Sequence, residues 1–575
     1  MHILILIALL FLSGTLEGLG VSAIIPLFSF INKERGGASD LVSKTIEKSF
    51  LFLGIPYSQN SILIIMVSSF IVGAVILFFA NYFTSYITAV YERKTREKLL
   101  ILTLRAGWPH LLKQKLGYLN QILTLCVGNS SGLLFYISST ILVIVNIIIY
   151  SLVAINISFV ATLIALTFGM GVFLVFKPLM YKGKIIGEKV ADLYKQLAHY
   201  INETILGIRT IKSSAVEVRV IDRGKEHFGK MQKLNLKDAF FRNIINVSIR
   251  PLGLILVIVL FIFSSKFSVL NYASFGVIVY AIYKLFSYIQ LLQTKIYGLS
   301  SLAPYLSDIL QYKKELLENL ESCGGVKFFE FKKCLEFRNV SFSYNSDREV
   351  LMGLNFSVNK GEMVGLIGPS GSGKTTISDL LLRLLVPQGG EILIDGENAS
   401  NINIKEWRNN IGYVSQDIFL MNDTVYNNIK FYDDSIGNKE AEEAAKMANI
   451  YDFIESCPNK FETIIGERGI LLSAGERQRI VIARVLAKKP KFLILDEATS
   501  ALDNESEVQI QKVIEGLRGK ITVLAIAHRL STIINCDRLL VLGEGKIIEQ
   551  GKPQELLENK GGYFHKVYNI RSESN

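Results

Sequence analysis

The first half of the chain is dominated by apolar runs long enough to cross a bilayer. Six of them, at 3–31, 61–90, 132–155, 157–176, 244–265 and 271–293, have the length and apolar character of a span, which takes about 20 residues of helix. Inside lipid the backbone has no water to bond, so each run is committed to helix. From about Lys327 onward no such run exists. Short β-branched strands there alternate with helical patterns and glycines, as in an α/β domain. The expected architecture is multi-domain: an all-α transmembrane domain of six helices with long cytoplasmic extensions, followed by an α/β domain.

The first run has no basic leader and continues well past the roughly 7–15 apolar residues of a signal-peptide core, so it reads as a membrane helix. Topology follows from Lys and Arg. The segment Tyr91 to Tyr118 carries seven of them against two acids, and Lys177 to Arg250 carries fifteen against seven. The turn Ala154 to Ser158 carries no charge, and only Lys266 follows the fifth run. Basic loops stay in the cytoplasm, which puts both termini there as well. This accounts for the net charge of +11 and removes the case for a nucleic-acid partner. With 50% hydrophobic and 20% charged residues in 575, neither a disordered nor a wholly soluble chain fits. Cys126, Cys323, Cys334, Cys457 and Cys536 are scattered and signal neither a disulfide framework nor a zinc site.

The basic loops are helical in pattern, as in YERKTREKLLILTLR and EKVADLYKQLAHYINETILGIRTI. Helices running on out of the membrane would present a docking surface for the C-terminal domain.

That domain carries the chemistry. Gly368, Pro369, Ser370, Gly371, Ser372, Gly373, Lys374, Thr375 and Thr376 spell GPSGSGKTT, between a strand-like run (362–367) and a helical one (377–385). Strand, glycine loop and helix are the context of a phosphate-binding P-loop. Backbone N–H groups curl around phosphate there, and the helix start adds favourable partial charge. Lys374 would reach the β- and γ-phosphates, and the Thr375 hydroxyl would ligate Mg2+. Downstream, KFLILDEATSALD is an apolar strand ending in two adjacent carboxylates. Asp496 is placed to hold Mg2+, and Glu497 to polarise an attacking water as general base.

Between these motifs lies LLSAGERQR, Leu471 to Arg479. It resembles the LSGGQ signature of ATP-binding cassette (ABC) transporters, and the rest of the set follows in order. Tyr344 resembles the aromatic that stacks on adenine. Gln416 in YVSQD resembles the Q-loop glutamine, a further Mg2+ ligand. Gly466 to Gly469 resembles the exporter X-loop, Ser500 to Asp503 the D-loop, and His528 in AIAHRLST the switch histidine. Six spans before one cassette is the layout of an exporter-type half-transporter. The resemblance implies a transmembrane domain over 1–315, a linker over 316–334 and a cassette over 335–575. It also implies ATP and Mg2+ as cofactors and head-to-tail pairing of two cassettes, with Ser473, Ala474, Gly475 and Glu476 of one completing the other's site. A multi-pass protein of the bacterial inner membrane, with the cassette in the cytoplasm, is the expected setting.

Two departures from the family pattern stand out. Ala474 adds a methyl group and Glu476 replaces a neutral amide; with Ser473 and Gly475 intact, the expected effect is mild. An altered signature beside an intact Glu497 also fits one subunit of a heterodimeric exporter, so a second copy and a paired half-transporter both remain as partners. The apolar run begins at His2, where relatives often have an amphipathic helix first. The given start is therefore expected to lie too far downstream, and a bacteriocin exporter with a cysteine-peptidase domain is not expected. Charged residues inside spans are functional candidates. Glu17 and Lys284 would either line a cavity for an amphipathic, charged substrate or satisfy hydrogen bonds between helices. A similar acid and base in bacterial flippases leans the cargo towards lipid-linked oligosaccharides or other amphipaths, with lipid, peptide or drug also open. Tyr280, Tyr283, Phe286 and Tyr288 are read as packing rather than as a drug-binding cage. An ATP-gated or regulatory protein is disfavoured by intact Glu497 and His528. The six spans exclude a soluble ATPase acting on DNA or ribosomes, and an importer is disfavoured too.

Overall fold

The computed structural model describes residues 2–24, 26–27, 47–48, 50–52, 54–114, 117–267, 272–344, 349–497, 503–527 and 533–572. It divides into two units, Met1–Ala106 with His110–Leu320, and Gly107–Pro109 with Glu321–Asn575.

Among the described residues the first unit is built on six long helices: α1 (His2–Ser22), α2 (Gln59–Leu104), α3 (Val127–Ile157), α4 (Phe159–Leu206), α5 (Glu217–Phe267) and α6 (Tyr272–Glu318). The first five are long and apolar enough to cross a membrane. The sixth apolar run of the sequence falls in α6, where Lys284 interrupts it. At 1.5 Å per residue the 48 residues of α4 reach about 70 Å, more than twice the hydrocarbon core. The helices therefore continue far beyond the bilayer. Between α3 and α4 a single extended residue, Ser158, makes the turn, and its hydroxyl accepts from the Ala161 N–H at 3.4 Å. Close packing rests on small residues: a Cβ on Gly18 of α1 would lie 2.3 Å from Ile149 Cγ2 of α3. Apolar lipid offers no hydrophobic drive for helix pairing, so the van der Waals contact of such close approach takes its place.

The second unit holds two sheets. Strands β1 (Cys334–Phe342), β2 (Leu351–Asn359), β4 (Gly389–Ile394) and β5 (Glu397–Asn398) form an antiparallel sheet in the order β2-β1-β4-β5. Strands β3 (Met363–Ile367), β6 (Ile411–Val414), β7 (Phe492–Asp496), β8 (Thr522–Ile526), β9 (Arg538–Gly543) and β10 (Lys546–Gly551) form the other, ordered β10-β9-β3-β8-β7-β6. Pairing from β9 through β6 is parallel, and only the β10 edge is antiparallel. The central strands MVGLI, FLILD and TVLAI are buried at every position, as parallel strands covered on both faces must be.

The chain leaves α6 at Glu318 and from Glu321 lies along the cassette. The Gly325 and Lys327 N–H groups donate to the Ser400 and Asn401 carbonyls at 2.8 and 3.1 Å, and the Asn403 N–H donates back to Lys327 at 2.9 Å. The phosphate-loop helix is α7 (Lys374–Leu381), and Arg408, on helix α8 (Ile404–Asn410), pairs through both terminal nitrogens with the Glu321 carboxylate. Its Nε donates to the Leu382 carbonyl at 3.1 Å. Phe329, buried, meets the buried Trp407 edge to face at 5.4 Å. Losing a charged hydrogen-bonded pair costs about 1.5–3 kcal/mol. Arg408→Met should therefore speed amide exchange at Gly325 and Lys327 roughly ten- to hundredfold, read by hydrogen-exchange mass spectrometry on the full chain. Unchanged protection would show that the pair does not hold this segment.

Candidate functional site

Strand β3 ends at Ile367 and runs into the glycine loop, which closes onto α7. Gly373 caps α7 with φ +106°, in the left-handed region, and a Cβ there would meet Leu351 Cδ2 at 2.8 Å. Only glycine satisfies both demands. Lys374 is 7% exposed, and its ammonium donates to the Gly368 and Pro369 carbonyls, each at 3.0 Å. An ammonium has three donors, so capacity remains for a phosphate oxygen. Burial pulls the Lys374 pKa down, opposed by the charges of Glu497 and Asp496. The Ser372 hydroxyl is buried without a partner, a polar atom left for a ligand at this loop.

Two strands away, β7 delivers the carboxylates. Asp496 is buried, accepts from the Tyr413 hydroxyl at 3.2 Å, and is pushed above the usual carboxylate range by burial. Glu497 adopts φ +49°, a strained backbone for a side chain of its size. Its N–H donates to Ile526 of β8 at 2.8 Å, and its carboxylate accepts from Gln416 Nε2 at 2.7 Å. The structure therefore brings Gln416 and Glu497 together directly. Tyr344, 49% exposed, places its hydroxyl 3.2 Å from the Thr376 hydroxyl beside the loop. Thr375 is exposed. Thr375, Gln416 and Asp496 offer hard oxygen donors suited to Mg2+. No cluster of three or more His, Cys, Asp or Glu that could hold a metal occurs among the described residues, so these oxygens would need a ligand's own to complete a shell.

Ser473 caps helix α9 (Ala474–Ala487): its hydroxyl accepts from the Glu476 N–H at 3.3 Å, and the Glu476 carboxylate accepts from the Ser473 N–H at 2.8 Å. An amide oxygen at position 476 would accept the same bond, so the departure keeps the capping box and adds charge that suits a helix start. Gly475 packs against Ser506, where a Cβ would lie 2.2 Å from its hydroxyl oxygen. Asp503 caps the helix Asn504–Leu517 through the Ser506 N–H at 3.2 Å. Ser500 and His528 lie outside the described residues.

In the membrane unit Glu17 and Lys284, 267 residues apart, form an ion pair at 3.4 Å. Sequence reading did not find Tyr413, which belongs to the strand two places from β8, or Tyr150, which donates to Glu17 at 3.0 Å. Neither has a local signal, because the contacts join residues 83 and 133 positions apart. It also missed Asp379 on α7.

The ABC transporter transmembrane-region model matches residues 3–291, and the ABC transporter model matches 351–500. The chain belongs to the ABC transporter family. Its cassette is thus an ATP-binding domain, and the chain is a membrane protein. It is 35% identical over 381 residues to mouse ATP-binding cassette sub-family B member 6, covering 64% of this chain and 44% of that protein. It is 37% identical over 385 residues to the ATP-dependent lipid A-core flippase of Saccharophagus degradans, covering 66% of this chain and 64% of the flippase. The flippase of the same name from Desulfotalea psychrophila is 36% identical, with 68% and 70% covered. The chain thus spans less than two thirds of the length of the first two of these relatives. A solved structure of a bacterial Atm1-family ABC exporter with ATP bound matches over 99% of both chains, at TM-score 0.81 and 25% identity.

Burial, with the charge of Asp496 second, pushes the Asp379 carboxyl up to about 6. An acid whose folded pKa is raised above its ordinary value loses stability for the fold as pH climbs through that interval. Asp379→Asn should therefore raise the thermal midpoint of the nucleotide-free protein at neutral pH, with the gain shrinking as pH falls below 6. An equal midpoint in both proteins across that range would contradict it.

Proposed function

We propose that this chain is one half of an ATP-driven exporter or flippase, which moves an amphipathic molecule out of the cytoplasm or inner leaflet by alternating access. The observation that carries this reading is the conjunction, in one chain, of the membrane helices with a cassette whose phosphate loop, Asp496 and Glu497 share one rim. The flippase and exporter names of its relatives support it.

Lys374 and the backbone N–H groups from Ser370 to Thr376 bind the β- and γ-phosphates, and Tyr344 stacks on adenine. Thr375, Gln416 and Asp496 hold Mg2+, which when bound offsets phosphate charge. Glu497 takes the proton of the attacking water, with Gln416 orienting its carboxylate, and His528 completes the γ-phosphate contacts. Ser473, Ala474, Gly475 and Glu476 close the site from the second cassette, and Asp503 lies at the same seam. A second copy of this chain is the proposed partner. The Ala474 and Glu476 departures favour a second reading, in which the partner is a different half-transporter. The cassette and both termini face the cytoplasm, across the inner membrane of a bacterium.

The test is steady-state ATP hydrolysis by the chain in lipid nanodiscs. A general base contributes about 10²–10⁴-fold, so Glu497→Gln should lose at least about a hundredfold in turnover while ATP affinity stays nearly unchanged. Lys374→Ala removes a charged contact worth about 1.5–3 kcal/mol and should weaken ATP binding itself by tenfold or more. Near-normal turnover in Glu497→Gln would remove it as the base.

A further inference from the structure

The Glu17–Lys284 pair sits within a group of tyrosines. The Glu17 oxygen that meets Lys284 also accepts from Tyr150 of α3 at 3.0 Å and Tyr288 of α6 at 3.3 Å. The Lys284 ammonium lies 5.7 Å from the ring centroids of Tyr150 and Tyr280 and 5.9 Å from that of Tyr288. Tyr280 and Tyr288 flank Lys284 four residues to either side, so helix geometry alone puts both rings beside it. Reading these two tyrosines as packing therefore misses half of what they do, whereas Phe286 is buried in the helix core as expected.

An ammonium ringed by aromatic faces and facing a carboxylate is the chemistry by which proteins hold alkylammonium groups. We propose that Glu17, Tyr150, Tyr280 and Tyr288 form a binding site for the ammonium head of an amphipathic cation, with the chain's own Lys284 as its displaceable occupant. This rests on the exporter reading and assigns a charge to the cargo. Three features support displacement. Glu17 keeps two phenolic donors when Lys284 leaves, so no carboxylate is stranded in the membrane without hydrogen bonds. Lys284 rides on a flexible four-carbon stem, and 28% of its side chain is accessible, as is 31% of Glu17. An anion approaching Lys284 would instead meet the negative faces of three rings and the Glu17 carboxylate. A pair serving only to pin α1 to α6 gains little over apolar packing and needs no such surround.

The experiment uses the full chain in nanodiscs and two short amphipaths, octyltrimethylammonium and octanesulfonate, with binding read by titration calorimetry. A tethered ammonium competes at an effective concentration near millimolar, so its removal should tighten binding of the free cation about tenfold or more. Lys284→Ala should gain that affinity for octyltrimethylammonium and none for octanesulfonate. Adding Glu17→Gln should abolish the gain. Lys284→Met keeps the apolar stem and repeats the measurement if the alanine variant fails to fold. An unchanged cation affinity, or a gain for the sulfonate, overturns the proposal. ATP binding and hydrolysis by the same nanodiscs separate the two readings: hydrolysis without the gain defeats the ammonium site alone, and loss of ATP binding together with hydrolysis defeats the exporter reading.

Discussion

Parallel pairing of β3, β8 and β7 is the constraint on which the cassette depends. Because these strands run the same way, their carboxyl ends open on one rim, and whatever follows each strand is brought to the same place. The glycine loop follows β3, Asp496 and Glu497 end β7, and the segment towards His528 leaves β8. Lys374 and Asp496 are themselves buried at that rim. This is why Lys374 is driven towards its neutral form and Asp496 towards its protonated one. The two charges only partly offset each other's burial, and a nucleotide phosphate with its magnesium would add an opposite charge for each.

The membrane unit answers to the opposite problem. With no water to satisfy polar groups, a carboxylate inside the bundle must find its donors in the protein. Glu17 finds three, from α3 and α6, and this ties α1 to the helices that cross beside it. Beyond α6 the chain passes to a segment fixed by Arg408 and by backbone bonds to the 400–403 turn.

Much of this was legible in the sequence, because it is local. Apolar length gives the spans, charge asymmetry predicts their direction, and GPSGSGKTT and LDEA announce their chemistry within a few residues. The Ser473–Glu476 capping box is local as well, since serine followed three residues later by glutamate is its pattern. What stayed hidden depends on tertiary pairing. Tyr413 reaches Asp496 across 83 positions and Tyr150 reaches Glu17 across 133, and no short pattern records either. The i±4 spacing of Tyr280 and Tyr288 about Lys284 is itself local; what it could not show is that Glu17 and Tyr150 are brought to the same lysine from other helices.

The central claim is that the signature of one chain completes the phosphate site of another. Complementation tests it most directly. Lys374→Ala disables a chain's own phosphate loop, and Ser473→Arg blocks the signature it offers to its partner. Each variant alone should be inactive. Co-reconstituted, the mixed pairs contain one intact phosphate loop facing one intact signature, and the account predicts that ATP hydrolysis returns. Two silent variants that stay silent when mixed, while the wild-type chain hydrolyses ATP under the same conditions, would contradict it.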